Sequence, residues 1–161
     1  TNRLIYRCCF VENEKNEIVQ LYQLWYPNGA LKSRYTMKGN LLNGDYEEWY
    51  SNGKYQLKCS YVNGKKNGIF EQWYVNGVLS LQCTYRMGIL HGSFFTWYSN
   101  ANFGTTKNYC NGIGISMQQR WNLDGTIYVS IFNDDPLQLK RCSNKQKISM
   151  ANILASDRKM F

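Results

Sequence analysis

A chain of 161 residues is long enough for one domain of ordinary size, so one architecture should account for nearly all of it. Thirteen Tyr, five Trp and seven Phe residues against two Pro favour aromatic-rich strands, because flat rings pack well on a pleated surface. The net charge of +8 favours acidic partners, and no run approaches the roughly 20 apolar residues that span a bilayer.

The first predicted elements are two strands, at residues 4–11 and 18–24, which form a degenerate hairpin. Residues 1–20 are interpreted as an N-terminal cap, because a terminal repeat has a neighbour on one side only and is expected to be atypical. Residues 1–10 carry Arg3 and Arg7 and lack the apolar core and small-residue cleavage site of a signal peptide. We therefore expect no secretion by a cleaved signal.

A repeat of 24 residues follows. The five tryptophans of the chain are each 24 residues apart, at Trp25, Trp49, Trp73, Trp97 and Trp121, and a Tyr follows each of the first four. Three residues after each Trp comes Asn-Gly at 28–29, 52–53 and 76–77, Asn-Ala at 100–101 and Asp-Gly at 124–125. Asn-Gly and Asp-Gly between strand-like runs indicate hairpin turns, so the residues that follow each Trp are predicted to form a hairpin tip.

A two-residue type I′ turn at Asn52-Gly53 predicts which residues face each other. Tyr50 would pair with Tyr55 and Tyr46 with Cys59, while Trp49 would lie opposite Gln56. One face of the sheet is then lined by Tyr, Phe, Leu and Cys, and the other carries a row of tryptophans among polar residues. The expected cross-strand partners of the five tryptophans are Lys32, Gln56, Ser80, Gly104 and Tyr128.

A second signature recurs between the tips. It reads Tyr-x-x-Gly-x-x-x-Gly at residues 61–68 and again at 85–92. Together with the Trp-Tyr-x-Asn-Gly tips it resembles the MORN repeat, in its short variant, over about residues 20–132, with departures at Asn40, Ala101 and Ser116. The resemblance implies an all-β fold, an elongated antiparallel meander of about five 24-residue hairpins, and residues 1–132 as one repeat array.

The period ends at residues 133–136, Asn-Asp-Asp-Pro, which is a turn and stop signal. Residues 133–161 form a basic tail with six basic and three acidic residues. Ser143 is a candidate cap for a short helix that runs to about Lys159.

Cysteine and histidine residues give no sign of a metal site or of catalysis. Cys59 and Cys83 are two strands apart, about 9.6 Å, which exceeds the ~7 Å limit for a disulfide, so we interpret them as small buried residues. Cys8-Cys9 lacks the spacing of zinc ligands, and His91 lies in a predicted surface turn. We predict no catalytic residue, no metal and no cofactor.

A single-layer sheet cannot bury both of its faces, so the five tryptophans are candidate contacts for a partner, although they can also pack on one another. We expect a non-enzymatic scaffold that mediates protein–protein contacts in a larger assembly, inside a cell or in a virion. The short repeats resemble MORN proteins of large amoeba-infecting DNA viruses, which implies a minor capsid protein, and bacterial antitoxin-like proteins.

The alternatives are an antitoxin-like inhibitor and a peripheral protein that binds acidic phospholipids. The candidate contacts to an acidic partner are Lys65, Lys66, Lys140, Arg141, Lys145 and Lys147. Nucleic acid is less favoured because the basic residues are scattered, and no motif indicates a small-molecule substrate.

Overall fold

Eleven antiparallel strands follow one another in a computed structural model of the chain, which describes residues 5–131. Each strand pairs with the strands before and after it in the sequence, so the sheet is a simple meander. The strands are β1 (Ile5–Glu12), β2 (Ile18–Trp25), β3 (Leu31–Lys38), β4 (Leu41–Trp49), β5 (Tyr55–Val62), β6 (Lys65–Trp73), β7 (Leu79–Arg86), β8 (Ile89–Trp97), β9 (Phe103–Cys110), β10 (Ile113–Trp121) and β11 (Ile127–Ile131).

The predicted all-β hairpin array is confirmed. Within residues 5–131 no segment is a helix, and hence none could cross a membrane as an apolar helix. At the usual spacing of about 4.8 Å, ten strand-to-strand steps give a sheet about 48 Å long. The degenerate first hairpin is β1–β2, within one residue of the predicted bounds. The predicted tail and its short helix lie outside the described residues.

The hairpin tips lie along one long edge of the sheet, which we call the tip edge, and they are not the predicted type I′ turns. In the second tip the N–H of Tyr50 donates to the carbonyl of Lys54 (2.8 Å) and that of Gly53 to the carbonyl of Tyr50 (2.9 Å). Of the pair Asn52-Gly53, only Gly53 has a positive φ, +81°. This is a three-residue loop with glycine in the left-handed conformation, followed by a bulge.

Type I′ turns lie instead along the opposite edge, the turn edge. Val62 pairs with Lys65, and the two residues between them both have positive φ, 49° at Asn63 and 75° at Gly64. The β7–β8 and β9–β10 connections show the same pair of positive φ values. The Asn-Gly pairs of the two edges therefore belong to different turn types, although their dipeptide sequence is the same.

The bulge beside each tip changes which residues face the tryptophans. The predicted register is correct in the middle of the hairpin, where Tyr46 pairs with Cys59, but Trp49 pairs with Tyr55 rather than Gln56. One extra residue in β5 moves Tyr55 to the face that carries Trp49. The predicted pairs of Tyr50 with Tyr55 and of each Trp with Lys32, Gln56, Ser80, Gly104 or Tyr128 are therefore wrong. The observed pairs are Trp25–Leu31, Trp49–Tyr55, Trp73–Leu79, Trp97–Phe103 and Trp121–Ile127.

The second glycine of the repeat signature lies at a wider bulge near the turn edge. Between the pairs Tyr35–Tyr46 and Met37–Leu42, three residues of β4 oppose a single residue of β3. Gly44 adopts φ +106° there, and a Cβ at this position would lie 2.4 Å from the hydroxyl oxygen of Thr36. Conformation and space both require glycine at this position of β4.

The face lined by Tyr22, Tyr35, Tyr46, Cys59, Phe70 and Cys83, which we call the tyrosine face, is the more tightly packed, as predicted. Cys59, Phe70 and Cys83 form its buried core. Tyr22 and Tyr35 stack with their ring centroids 5.2 Å apart, whereas Tyr85 meets Phe70 edge to face at 5.8 Å.

Burial favours the neutral form of three side chains on this face, Tyr46, Tyr61 and Cys83. Desolvation raises the pKa of the Tyr61 hydroxyl to about 12 and that of the Cys83 thiol to about 11. The pKa of Tyr46 is also raised, first by burial and then by its hydrogen bond to the Glu48 carboxylate. These tyrosine and cysteine side chains therefore stay neutral up to alkaline pH.

Candidate partner-binding surface

The opposite face, which we call the tryptophan face, carries a continuous row of apolar side chains beside the tip edge. Each Trp alternates with the apolar residue six positions later in the chain. We call this row the aromatic ridge; its members are Trp25, Leu31, Trp49, Tyr55, Trp73, Leu79, Trp97, Phe103, Trp121 and Ile127. The five candidate tryptophans are thus brought into one row, as predicted.

Ring contacts link one hairpin to the next along the ridge. Tyr55 lies between two tryptophans, with centroid distances of 5.3 Å to Trp49 and 5.6 Å to Trp73. Phe103 repeats this arrangement between Trp97 and Trp121, at 5.6 and 5.5 Å. The rings are tilted by 31–38°, so each interposed ring contacts both neighbours. Such pairs add to apolar burial and stiffen the row.

The ridge remains partly exposed. The tryptophans are half-buried, but Tyr55 is 38%, Phe103 39% and Ile127 48% exposed. An aligned row of partly exposed apolar groups is typical of a contact surface. The predicted type I′ register placed Tyr55 on the other face and left Phe103 and Ile127 unassigned. The signal was present, because the sixth residue after every Trp is apolar.

Hydrogen bonds between successive tips, which we call the tip ladder, fix the spacing of the ridge. The hydroxyl of each tip tyrosine donates to the backbone carbonyl of the next Trp, as in Tyr26 to Trp49 (2.9 Å). The same bond joins Tyr50 to Trp73, Tyr74 to Trp97 and Tyr98 to Trp121, at 2.7–3.0 Å. Each ridge tryptophan after the first is therefore held through its own carbonyl by the preceding tip.

The tip asparagines form a second line of the ladder. Asn52 donates its amide N–H to the carbonyl of Val75 (3.1 Å), and its Oδ1 accepts from the N–H of Lys54 (3.1 Å). Asn28, Asn76 and Asn100 make the same two contacts in their own tips. One asparagine thus closes its own turn and also joins its tip to the next one.

The fifth tip has a side-chain oxygen that accepts within the tip, as the earlier tips do. It lacks the tyrosine hydroxyl and the asparagine amide that donate to the next tip in the earlier repeats. Asp124 accepts from the N–H and the hydroxyl of Thr126, and these hydrogen bonds lower the pKa of its carboxyl. Asn122 stands where the earlier tips have tyrosine, and its amide N–H donates to the Thr126 hydroxyl of its own tip (3.0 Å). The side chains of Asn122 and Asp124 thus form hydrogen bonds within their own tip.

A row of charged and polar side chains crosses the middle of the tryptophan face. Glu47 is 7% exposed, and its carboxylate accepts from Nε of Arg34 (2.9 Å) and lies 3.5 Å from Nζ of Lys58. Arg34 also lies over the ring of Trp49, and Lys58 over that of Tyr55, at 5.8 and 4.7 Å. The cations therefore contact both the buried carboxylate and the ridge, and so couple the two rows.

The predicted acidic-partner contacts are only partly described. Lys65 is exposed at the turn edge. Lys66 is not, because its ammonium lies on the tyrosine face over the rings of Phe70 and Tyr85, at 4.1 and 5.2 Å. Lys140, Arg141, Lys145 and Lys147 lie outside the described residues.

Cysteine and histidine have structural positions. Cys59 and Cys83 are buried thiols with Phe70 between them, as expected for small apolar side chains. His91 lies at the turn edge, where Nδ1 accepts from the backbone N–H of Asn111 (3.3 Å). Asn43 and Asn67 accept the same bond in the preceding repeats, so the three positions are equivalent, and His91 lies in β8 rather than in the predicted turn.

Comparisons with known proteins agree with this geometry. Residues 42–63, which run from β4 through the second tip into β5, match the family described as MORN repeat variant. Curated proteins give no significant match. Among solved structures, a mutant of S. aureus TarM in complex with fondaparinux, alpha-GlcNAc-glycerol and UDP is 13% identical, with a TM-score of 0.37 over 67% of this chain.

The chain spans only 21% of the length of that TarM chain, and a TM-score this low carries no conclusion about fold or function. The match to the MORN repeat variant carries more weight than this structural similarity. The tip, bulge and glycine positions of residues 42–63 recur in the other hairpins at the same 24-residue spacing. This repeat is consistent with a scaffold or with a role in binding proteins or membranes. The chain is thus similar to the MORN-repeat family at residues 42–63, which form the hairpin of β4 and β5.

Proposed function

We propose that the protein is a non-enzymatic scaffold that binds partner proteins along its aromatic ridge and so takes part in a larger assembly. The observation that carries the proposal is the ridge itself, a row of partly exposed rings in mutual contact. Aromatic side chains that are already fixed lose little conformational entropy when a partner covers them.

The spacing of the ridge favours a protein partner. Successive tryptophans are two strands apart, about 9.6 Å, and every one after the first is held by the tip ladder. A rigid row of this kind presents several equivalent anchors to an extended segment or to a repeated surface. Binding would then be distributed over several hairpins, and loss of one ring would weaken it without abolishing it.

The finer proposal is that the assembly is a virus particle and the chain a minor capsid protein. It rests on the resemblance of the repeats to those of large DNA viruses, and on a basic chain whose sequence contains no enzyme motif. Quantitative mass spectrometry of purified particles tests it directly. We expect the chain at a constant ratio to the main coat protein after protease treatment of intact particles, whereas loss of the chain on washing would contradict this location.

The scaffold itself is tested by site-specific photo-crosslinking of the full chain in its native cells. A photoreactive phenylalanine replaces Tyr55 or Phe103 in the ridge, and the matched control replaces Ile89, an exposed apolar residue (51%) at the turn edge. We expect the two ridge positions to capture the same protein and the control position not to capture it. Capture of lipid alone, or equal capture at Ile89, would contradict a protein-binding ridge.

The second arm uses Trp73→Ser in the same crosslinking chain. We expect the yield at Phe103 to fall several-fold while circular dichroism still shows the folded sheet. Acidic phospholipid remains the alternative partner because Lys65 is exposed at the turn edge. Flotation with vesicles that contain phosphatidylserine, compared with neutral vesicles, separates this alternative from protein binding.

A further inference from the structure

A cleft of about 580 Å³ lies on the tryptophan face, away from the ridge. It is found at the turn edge of the first hairpins, between the β1–β2 loop and the strands from β2 to β6. The β1–β2 loop is fixed by its own hydrogen bonds, because Oδ1 of Asn13 accepts from the N–H groups of Lys15 and Glu17. Lys38 of β3 anchors it further through an ion pair with Glu17 (2.6 Å).

Acidic residues are concentrated in this cleft, although the protein as a whole is basic. Residues 5–131 contain eight acidic residues, and five of them line the cleft, namely Glu12, Glu14, Glu17, Asp45 and Glu47. The basic residues that line it are Lys15 and Arg34. Glu17 and Glu47 have ion-pair partners, whereas Glu12, Glu14 and Asp45 form no ion pair with any described residue. The cleft therefore attracts cations.

The bottom of the cleft is apolar. Val19 is 2% exposed, and Val11, Leu21 and Val62 contribute to the same lining. A ligand that fits an apolar bottom and an acidic rim must itself combine apolar and basic groups. A peptide that combines leucine or isoleucine with several lysine or arginine residues has this chemistry.

The chain contains such a peptide beyond the described residues. Residues 137–148 read Leu-Gln-Leu-Lys-Arg-Cys-Ser-Asn-Lys-Gln-Lys-Ile, with four basic residues, three large apolar residues and no acid. β11 starts at the tip edge, and the described chain ends at Ile131, opposite Gln118 in the middle of β10, heading towards the edge that carries the cleft. The basic segment therefore follows the sheet on the correct side.

The length of the chain is also sufficient. β11 lies seven strand spacings from β4, which carries Asp45, and nine to ten from the β1–β2 loop, which carries Glu14, or about 34 Å and 43 to 48 Å along the sheet. Lys145 and Lys147 are fourteen and sixteen residues beyond Ile131, and an extended chain covers at most about 3.3 Å per residue, so these residues reach about 46 and 53 Å.

We propose that residues 137–148 bind the acidic cleft of the same chain, with the lysine and arginine side chains at Glu14 and Asp45 and the apolar side chains over Val11, Val19 and Val62. Bound in this way, the segment covers the turn edge of the first hairpins and leaves the ridge accessible. A strongly acidic external partner would compete with the cleft for the same basic residues. The proposal is independent of what the ridge binds.

Paramagnetic relaxation enhancement on the full chain tests the proposal. Cys142 lies inside the segment, so a nitroxide is attached there in a C8S/C9S variant, in which the remaining described cysteines, Cys59, Cys83 and Cys110, are buried. We expect the amide signals of Ser60 and Val62, at the cleft, to lose intensity at least several-fold more than those of Thr105 and Thr106. Equal loss at both places, or no loss at the cleft, would overturn the proposal.

Two further arms identify the cause. In E14Q/D45N the selective loss of intensity should disappear, whereas the matched variant E48Q/E71Q, which removes two carboxylates outside the cleft, should retain it. A mixture of nitroxide-labelled chain without ¹⁵N and unlabelled ¹⁵N chain detects binding between molecules. Selective loss at Ser60 and Val62 in that mixture would mean that the segment binds a second copy, and would overturn binding within one chain.

Discussion

The hydroxyl of Tyr50 donates a 2.7 Å hydrogen bond to the backbone carbonyl of Trp73, and so joins two tips that are one repeat apart. Tyr50→Phe removes this bond and leaves a half-buried carbonyl without its partner. We expect a loss of about 1 kcal/mol in the free energy of unfolding, measured by urea denaturation. Tyr128→Phe is the matched control, because Tyr128 is 69% exposed, and we expect no measurable change there. Equal losses in the two variants would show that the tip ladder does not stabilise the sheet.

Ala101 stands where the four other tips have glycine, and it adopts φ +71°. The left-handed conformation costs a residue with a Cβ about 1 to 2 kcal/mol, and glycine avoids this cost. Part of that gain is lost because glycine has a larger conformational entropy in the unfolded chain. Ala101→Gly should therefore stabilise the protein by about 0.5 to 1 kcal/mol. Ala101→Ser keeps the Cβ and should not stabilise it. A destabilised glycine variant would contradict the observed tip conformation.

Phe70 and Phe103 are a matched pair on opposite faces. Phe70 is 7% exposed in the core of the tyrosine face, whereas Phe103 is 39% exposed on the ridge. Phe70→Ala should cost about 3 to 5 kcal/mol because it leaves a cavity, and Phe103→Ala about 1 to 2 kcal/mol. The measurement is chemical denaturation followed by tryptophan fluorescence. A larger loss for Phe103→Ala would mean that the ridge, rather than the tyrosine face, is the main source of stability.

Alkaline pH should destabilise the fold before most tyrosines ionise. The pKa of Cys83 is raised by burial to about 11, whereas the unfolded thiol titrates near 9. A neutral group favoured in the folded state contributes fully below the unfolded pKa, and this contribution is lost as pH rises through the folded value. We expect a loss of roughly 1 to 2 kcal/mol from this thiol between about pH 9 and 11, with a further loss from Tyr61 at higher pH. Cys83→Ala should show a shallower decline over the first interval, and an unchanged slope would contradict the assignment.

Much of the fold could be predicted from the sequence because the evidence for it is local and repeated. Regularly spaced Trp-Tyr and Asn-Gly pairs define the hairpins, and strand alternation assigns residues such as Tyr46 and Cys59 to one face. Register in the middle of each strand follows from the same alternation. These features recur in most repeats, so a weak signal in one hairpin is supported by its neighbours.

The composition of the ridge could not be predicted because the turn type was misassigned. Asn-Gly is compatible both with a type I′ turn and with the three-residue loop observed at Gly53, and the difference is one residue. A shift of one residue in a strand exchanges the two faces, and it moved Tyr55 onto the tryptophan face. The acidic cleft was missed for another reason, since it joins residues of β1–β2 and β4 that alternation alone does not bring together.

The tip ladder has a direction, because each of the first four tips donates side-chain hydrogen bonds to the next tip. In the fifth tip the side chains of Asn122 and Asp124 form their hydrogen bonds within the tip. A chain built in this way can be lengthened by copying an internal hairpin, because the copy accepts from the tip before it and donates to the tip after it. Each duplication would extend the sheet by about 9.6 Å and leave both ends unchanged. The distance that the molecule spans is therefore a heritable variable that gene duplication can adjust in equal steps without redesign of the fold.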